Sequence, residues 1–189
     1  MSDRHQFRAI WHNYGFGVYF VTICSHEMEW LFGTIRDKVF SPTPLGRIIE
    51  EHISKIPTYY EDVDVWNSVI MPNHLHLIIS IGMNSIYSSM ANIQNHRETS
   101  SLPAGCLREP KREEAVEDFH HNSRLASAVG SFKAGVTRHA RKQGISTLPC
   151  WQSRYHEHII LNNPSLDNIM QYIDTNIENW EKDCFYEER

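Results

Sequence analysis

The 189-residue chain is long enough for one ordinary domain with its own core. No apolar run approaches the length of a membrane-spanning helix, and a formal net charge of −5 weighs against a protein that coats nucleic acid over its whole surface. The opening residues, MSDRHQFRAIW, lack the basic-then-apolar pattern of a secretory signal, and Cys24, Cys106, Cys150 and Cys184 are scattered without a C-x-x-C pair, so a cytoplasmic chain with free thiols is expected.

In chain order, GVYFVTICS (17–25) is apolar, β-branched and aromatic, and predicts a strand. LFGTIRDKVF (31–40) predicts a second strand or hairpin arm. SPTPLGRIIEEHISKIP (41–57) predicts a helix, because Leu45, Ile48, Ile49, His52, Ile53 and Ile56 recur at helical spacing. VDVWNSVIM and HLHLIISI read as two adjacent strands, or as one strand broken near Pro72; proline has no amide to donate and favours a strand start or an edge. Residues 82–122 are polar, rich in Ser and Asn and aperiodic, which predicts an inserted loop with a short helix around 111–118. SRLASAVGSFKAGVTRHARKQG predicts a helix stopped by Gly144. YHEHIIL (155–161) predicts a short strand, and a last helix begins through Pro164 and Ser165. Strands outnumber helices and hairpins are frequent. The expected fold is α+β, a single domain over 1–189 in which helices pack on an antiparallel sheet in a ferredoxin-like arrangement.

Charge is unevenly spread. Between Phe119 and His156 there is no Asp or Glu, while Arg124, Lys133, Arg138, Arg141, Lys142 and Arg154 fall in that window. The tail carries Glu181, Asp183, Glu187 and Glu188. A basic patch on an acidic chain is either an interaction surface or a solvated helix face.

MPNHLHLII (71–79) is the most informative stretch. Alternate side chains of a strand share a face, so His74 and His76 project together with their Cβ atoms about 7 Å apart. Leu75, Leu77 and Ile79 then take the core side. Two neutral imidazoles on one rigid strand can converge on a metal ion or a phosphate oxygen; the alternative is two surface histidines in a chain that has 12. Barrel hydrolases using this pair need a longer chain, and double-stranded β-helix metal proteins place a glutamate soon after it, which HLHLIISIG lacks. A third ligand has to come from elsewhere.

The last helix, read from Ser165 to Trp180, divides into three stripes. Leu166, Ile169, Met170, Ile173, Ile177 and Trp180 are apolar; Asp167, Asp174, Glu178 and Glu181 are charged. Ser165, Asn168, Tyr172, Asn176 and Asn179 are polar and uncharged, which suggests a face that lines something. Tyr172 and Asn176 are four apart and stack on that face; alone, Tyr172 also fits a half-buried tyrosine bridging core and water.

VIMPNHLHLII, GSFKAGVTRHAR, PCWQSRYHEHIILN and IMQYIDTNIENW, with FVTICSHEMEWLFG near the start, resemble in order and spacing the single-tyrosine HUH transposases, and most closely the REP-associated tyrosine transposases. The similarity covers most of the chain except 82–122. It implies the transposase-like fold, a metal pair formed by His74 and His76, a nucleophilic Tyr172, and Asn176 completing the metal site. Tyr155 competes as nucleophile but lacks an amide four residues on, and the family's nucleophile lies on the last helix. His158 matches a recurrent family histidine with a supporting role at the site or on DNA. IDTN stands where the family more often has an INNP-like ending.

The implied activity is metal-dependent nicking and joining of single-stranded DNA. Mg²⁺ or Mn²⁺ would polarise the scissile phosphate. Tyr172 would attack phosphorus and form a 5′-phosphotyrosine link with a free 3′-hydroxyl. No nucleotide-binding P-loop is present, consistent with an exchange of one phosphodiester for another. The implied substrate is hairpin-containing single-stranded DNA, its backbone tracked by Arg124, Lys133, Arg138, Arg141, Lys142 and Arg154. Trp151 and Tyr155 would either stack bases or, for Trp151, belong to the core. The protein would act as a monomer or homodimer. Competing readings are a non-cleaving DNA-binding regulator of the same fold and a small metal hydrolase built on His74, His76 and His158.

Overall fold

The computed structural model describes residues 16–83, 124–145 and 149–186. The expected insertion at 82–122 lies almost wholly outside the described residues, and its short helix at 111–118 entirely so. Strand β1 spans Gly17–Cys24, β2 Gly33–Arg36, β3 Val39–Pro42, β4 Val63–Ile70, β5 His74–Ile81 and β6 His156–Ile159; helix α1 spans Pro44–Tyr59, α2 Arg124–Lys142 and α3 Asn163–Thr175. A four-stranded sheet has the order β4-β5-β1-β6, and each neighbouring pair is antiparallel. The fold is α+β with helices packed on an antiparallel sheet, as expected.

The segment at 31–40 resolves into a small separate hairpin, β2–β3. Its turn places Asp37 and Lys38 at φ of 50° and 61°, the paired left-handed conformation that matches strand twist in a two-residue hairpin. The two strands around Pro72 are distinct. Proline sits in the tight connection, where the Met71 amide donates to the His74 carbonyl at 2.8 Å and the Pro72 carbonyl accepts from Phe32 at 3.0 Å.

Helix α1 starts where Thr43 accepts from the Gly46 amide. It lies so close to the preceding chain that a Cβ on Gly46 would fall 2.0 Å from the Phe32 carbonyl oxygen. Helix α3 starts about two residues earlier than the expected Ser165 and ends earlier than its apolar stripe suggested. Asn162 caps it through the Ser165 amide, and it stops at Thr175, with Asn176 as its C-cap. The chain then turns into a short 3-10 segment, Trp180–Lys182.

The sheet separates two cores. Tyr19, Val21, Ile23, Leu75, Leu77, Ile79 and Ile81 pack against α1 and α2, whose contributions include Ile49, Phe132 and Val136. On the other face Val18 and Ile78 meet Leu166, Ile173 and Trp180. Strand β5 has a neighbour on each side and a core on each face, so all of its residues are buried. The histidines are therefore not surface residues of a half-exposed strand: His74 is 0 % and His76 2 % exposed.

A buried histidine pair facing Tyr172

His74 and His76 share the sheet face covered by α3. Each ring is fixed through its Nδ1. Asn73 donates from Nδ2 to the Phe185 carbonyl at 2.8 Å, which leaves its Oδ1 to accept from His74 Nδ1 at 2.9 Å. His74 Nε2 is then a bare lone pair. Thr22 lies opposite His76 in the β1–β5 ladder, and its hydroxyl meets His76 Nδ1 at 2.8 Å. A hydroxyl both donates and accepts, so Thr22 supports the tautomer of His76 that also bares Nε2.

The two Nε2 atoms are 3.1 Å apart. Two nitrogens bound to one ion at about 2.1 Å, at octahedral or tetrahedral angles, are separated by about 3.0–3.4 Å. The pair thus has the spacing of two ligands of a single ion. Burial pushes both imidazole pKa values down to about 3; the charge of His74 lowers His76 further, and Asp183 opposes this. Both rings are neutral at physiological pH, the form that ligates metals.

Helix α3 brings Tyr172 across the pair. Its hydroxyl is 3.2 Å from His76 Nε2 and donates to Asp183 Oδ2 at 3.1 Å. The residue is 40 % exposed, so the phenol is not sealed inside the fold. Burial, then the Asp183 charge, raises the phenol pKa to about 12. Phe20 stacks on His76 with centroids 4.9 Å apart, and Phe185 packs on His74 at 4.6 Å. These rings wall the nitrogens off from water, which strengthens any charge interaction among them.

Asn176 reaches the site as the α3 C-cap and is 3 % exposed. Its Nδ2 points at Asp183 Oδ2, 3.4 Å away. That contact sets the amide orientation and leaves Oδ1 buried with no hydrogen-bond partner among the described residues. An orphaned buried acceptor beside two bare nitrogens fits a cation site. Asp183 is the residue that pattern reading missed: ligand atoms of His74, His76 and Asp183 lie within 4.8 Å of one another, a group able to hold a metal ion. In sequence Asp183 is one acid of an acidic tail. The signal available was its position three residues beyond Trp180, an apolar-stripe residue that anchors the chain end.

The remaining candidates lie elsewhere. His158 pairs with Phe20 across β1–β6, is exposed, and does not join the ligand group. Tyr155 packs against the core on the α1–α2 side, opposite the histidines. Trp151 is a core residue at 9 % exposure, packed on Phe32 and Phe132, with its indole N–H donating to the Lys133 carbonyl. Two of the six basic residues are engaged within the fold: Arg124 pairs with Asp62 at 2.7 Å over the Tyr60 ring, and Lys133 Nζ donates to the Gln152 and Ser153 carbonyls at 2.7 and 3.3 Å. Arg138, Arg141, Lys142 and Arg154 are exposed. Arg138 and Arg141 border an open cleft of about 590 Å³ floored by Gly130, Ala134 and Trp151. That cleft lies along α2, on the sheet face away from Tyr172. Cys24 and Cys150 are buried and Cys184 is exposed, and among the described residues no helix is long and apolar enough to cross a membrane.

No family model matches the sequence. An uncharacterized protein of Haemophilus influenzae is 34 % identical over 187 residues, covering 98 % of this chain and 94 % of that one. Among solved structures, a REP-associated tyrosine transposase bound to a REP hairpin superposes with a TM-score of 0.54 at 17 % identity, over 95 % of this chain and 74 % of that chain. That likeness establishes the fold.

Proposed function

We infer a DNA-processing function for this chain, which belongs to one family with the uncharacterized Haemophilus influenzae protein. We propose a metal-dependent endonuclease and strand transferase acting on hairpin-containing single-stranded DNA through a 5′-phosphotyrosine intermediate. The observation that carries this reading is the Tyr172 hydroxyl 3.2 Å from His76 Nε2, a phenol on one helix meeting a histidine pair on one strand.

His74 and His76 would hold Mg²⁺ or Mn²⁺, with Asn176 Oδ1 as a neutral third ligand. The ion would supply charge for the phosphoryl oxygens as the transition state forms. Tyr172 is the nucleophile: its oxygen forms a bond to phosphorus, the 3′-oxygen leaves, and the chain retains the 5′-phosphate. The phenol is protonated in the resting protein, since its pKa is raised to about 12; Asp183 Oδ2 is the acceptor its proton already faces. Attack by a later 3′-hydroxyl reverses the step and joins strands, with one phosphodiester exchanged for another. Single-stranded DNA suits the site because a splayed phosphate reaches a helix-borne phenol more easily than one inside a duplex. The hairpin-bound relative of the same fold supports a hairpin as the first substrate to try.

The test is covalent capture. A labelled hairpin oligonucleotide pool with Mn²⁺ should give a denaturation-resistant adduct whose mass maps to the Tyr172 peptide, and Tyr172→Phe should abolish it. Hairpin binding without any adduct in the wild type would instead identify a non-cleaving DNA-binding regulator; an adduct that survives Tyr172→Phe would move the nucleophile elsewhere.

A further inference from the structure

Resting on the reading of His74 and His76 as a cation site, we propose that Asp183 is the anionic ligand of that cation, so that the ion is taken up before any DNA phosphate arrives. Asp183 lies beyond α3, and its side chain is only 2 % exposed. Trp180, 3 % exposed in the second core, anchors the turn that delivers it. The Phe185 amide donates to Oδ1 at 2.8 Å and fixes the carboxylate. Oδ2 then sits 3.9 Å from His74 Nε2 and 3.1 Å from the Tyr172 hydroxyl.

Charge makes the case. The other groups at the centre are neutral: two imidazoles and the Asn176 amide. A divalent ion buried among neutral ligands alone carries a large desolvation cost. One carboxylate halves the net charge of the filled site, and no other carboxylate among the described residues joins the ligand group. A carboxylate offers about four lone pairs, so Oδ2 can face both the tyrosine and an ion. The Oδ1 of Asn176, buried with no partner among the described residues, is a second, independent sign of a cation at this centre. The full set is two imidazoles, one carboxylate and one amide, a donor mix in which Mn²⁺ or Co²⁺ binds more tightly than Mg²⁺.

The experiment uses the full chain without DNA, read by calorimetry and Mn²⁺ electron paramagnetic resonance. The wild type should bind one Mn²⁺, and Asp183→Asn should weaken that binding at least tenfold, with unchanged far-UV circular dichroism. Unchanged or tighter binding by Asp183→Asn, while His76→Ala loses it, would overturn the role of Asp183 and leave the histidine site standing. No binding by the wild type would remove both readings. A measurement that needs no variant guards against misfolding: protein labelled with carboxyl-¹³C aspartate should show a ¹³C hyperfine coupling to bound Mn²⁺, and its absence overturns the proposal.

Discussion

Acidification of the metal-free protein should unfold it by protonating His74 and His76. Both folded pKa values are near 3, driven down mainly by burial, while an unfolded histidine titrates near 6.5. Between those limits the unfolded chain binds more protons, so stability is fully present above about pH 6.5 and is lost as pH falls toward 3. Each histidine contributes a slope approaching about 1.4 kcal/mol per pH unit. Between pH 7 and 5 the pair should therefore cost about 4 kcal/mol, a large part of the 5–15 kcal/mol typical of a domain. The assay is urea denaturation at several pH values in EDTA, comparing wild type with His76→Gln. The variant lacks one of the two groups, so its loss over that interval should be about 2 kcal/mol smaller; the rest of the chain is identical in both proteins. Superimposable pH profiles would refute the buried-neutral assignment. Mn²⁺ at a hundred times its Kd should add about 2.7 kcal/mol at neutral pH, and that gain should fade with acid as protons compete for the same nitrogens.

Thr22→Val keeps the shape but removes the hydroxyl at His76 Nδ1; Mn²⁺ affinity should fall about 10–100-fold by calorimetry with little change in the melting temperature. Arg124→Ala should leave hairpin binding nearly unchanged in fluorescence anisotropy, because Arg124 is tied to Asp62. Replacing both Arg138 and Arg141 by Ala should reduce the slope of log K against log salt by about 2 if the α2 cleft contacts DNA phosphates. Gly46→Ala should destabilise the fold by about 1–3 kcal/mol in denaturant titration, since the added methyl meets the Phe32 backbone.

Local periodicity carried much of the fold and half of the site. The two-residue repeat of a strand put His74 and His76 on one face and Leu75, Leu77 and Ile79 on the other. The uncharged stripe of the last helix singled out Tyr172 and Asn176. What it could not carry is non-local. Whether a strand is central or at an edge depends on partners far along the chain, so the burial of the histidine pair emerged only with β1 and β4 on either side of β5. The helix was expected to run straight to Trp180, because apolar spacing continues that far. It stops at Thr175 instead, and that early end turns Asp183 inward. The basic window misled in a related way: Asp62 neutralises Arg124 across 62 positions of sequence, and two carbonyls engage Lys133.

The division of the sheet explains how a polar centre persists inside a small domain. The face toward α1 and α2 is wholly apolar in β5, and it supplies the larger core. The face toward α3 replaces part of its packing with His74, His76, Thr22 and Asn73, all buried. Such a replacement is tolerable only where each polar group has a partner. Thr22 and Asn73 satisfy the Nδ1 atoms, Phe185 satisfies Asn73, and Tyr172 satisfies Asp183. Beside Tyr172 and Asp183, the incompletely satisfied atoms are ones a cation would serve, the two Nε2 lone pairs and Asn176 Oδ1; farther along β5 the buried Ser80 hydroxyl also has no partner among the described residues. Meanwhile Arg138 and Arg141 border a cleft on the opposite face of the sheet. A DNA strand that touched both Tyr172 and that cleft would have to pass from one face of the sheet to the other.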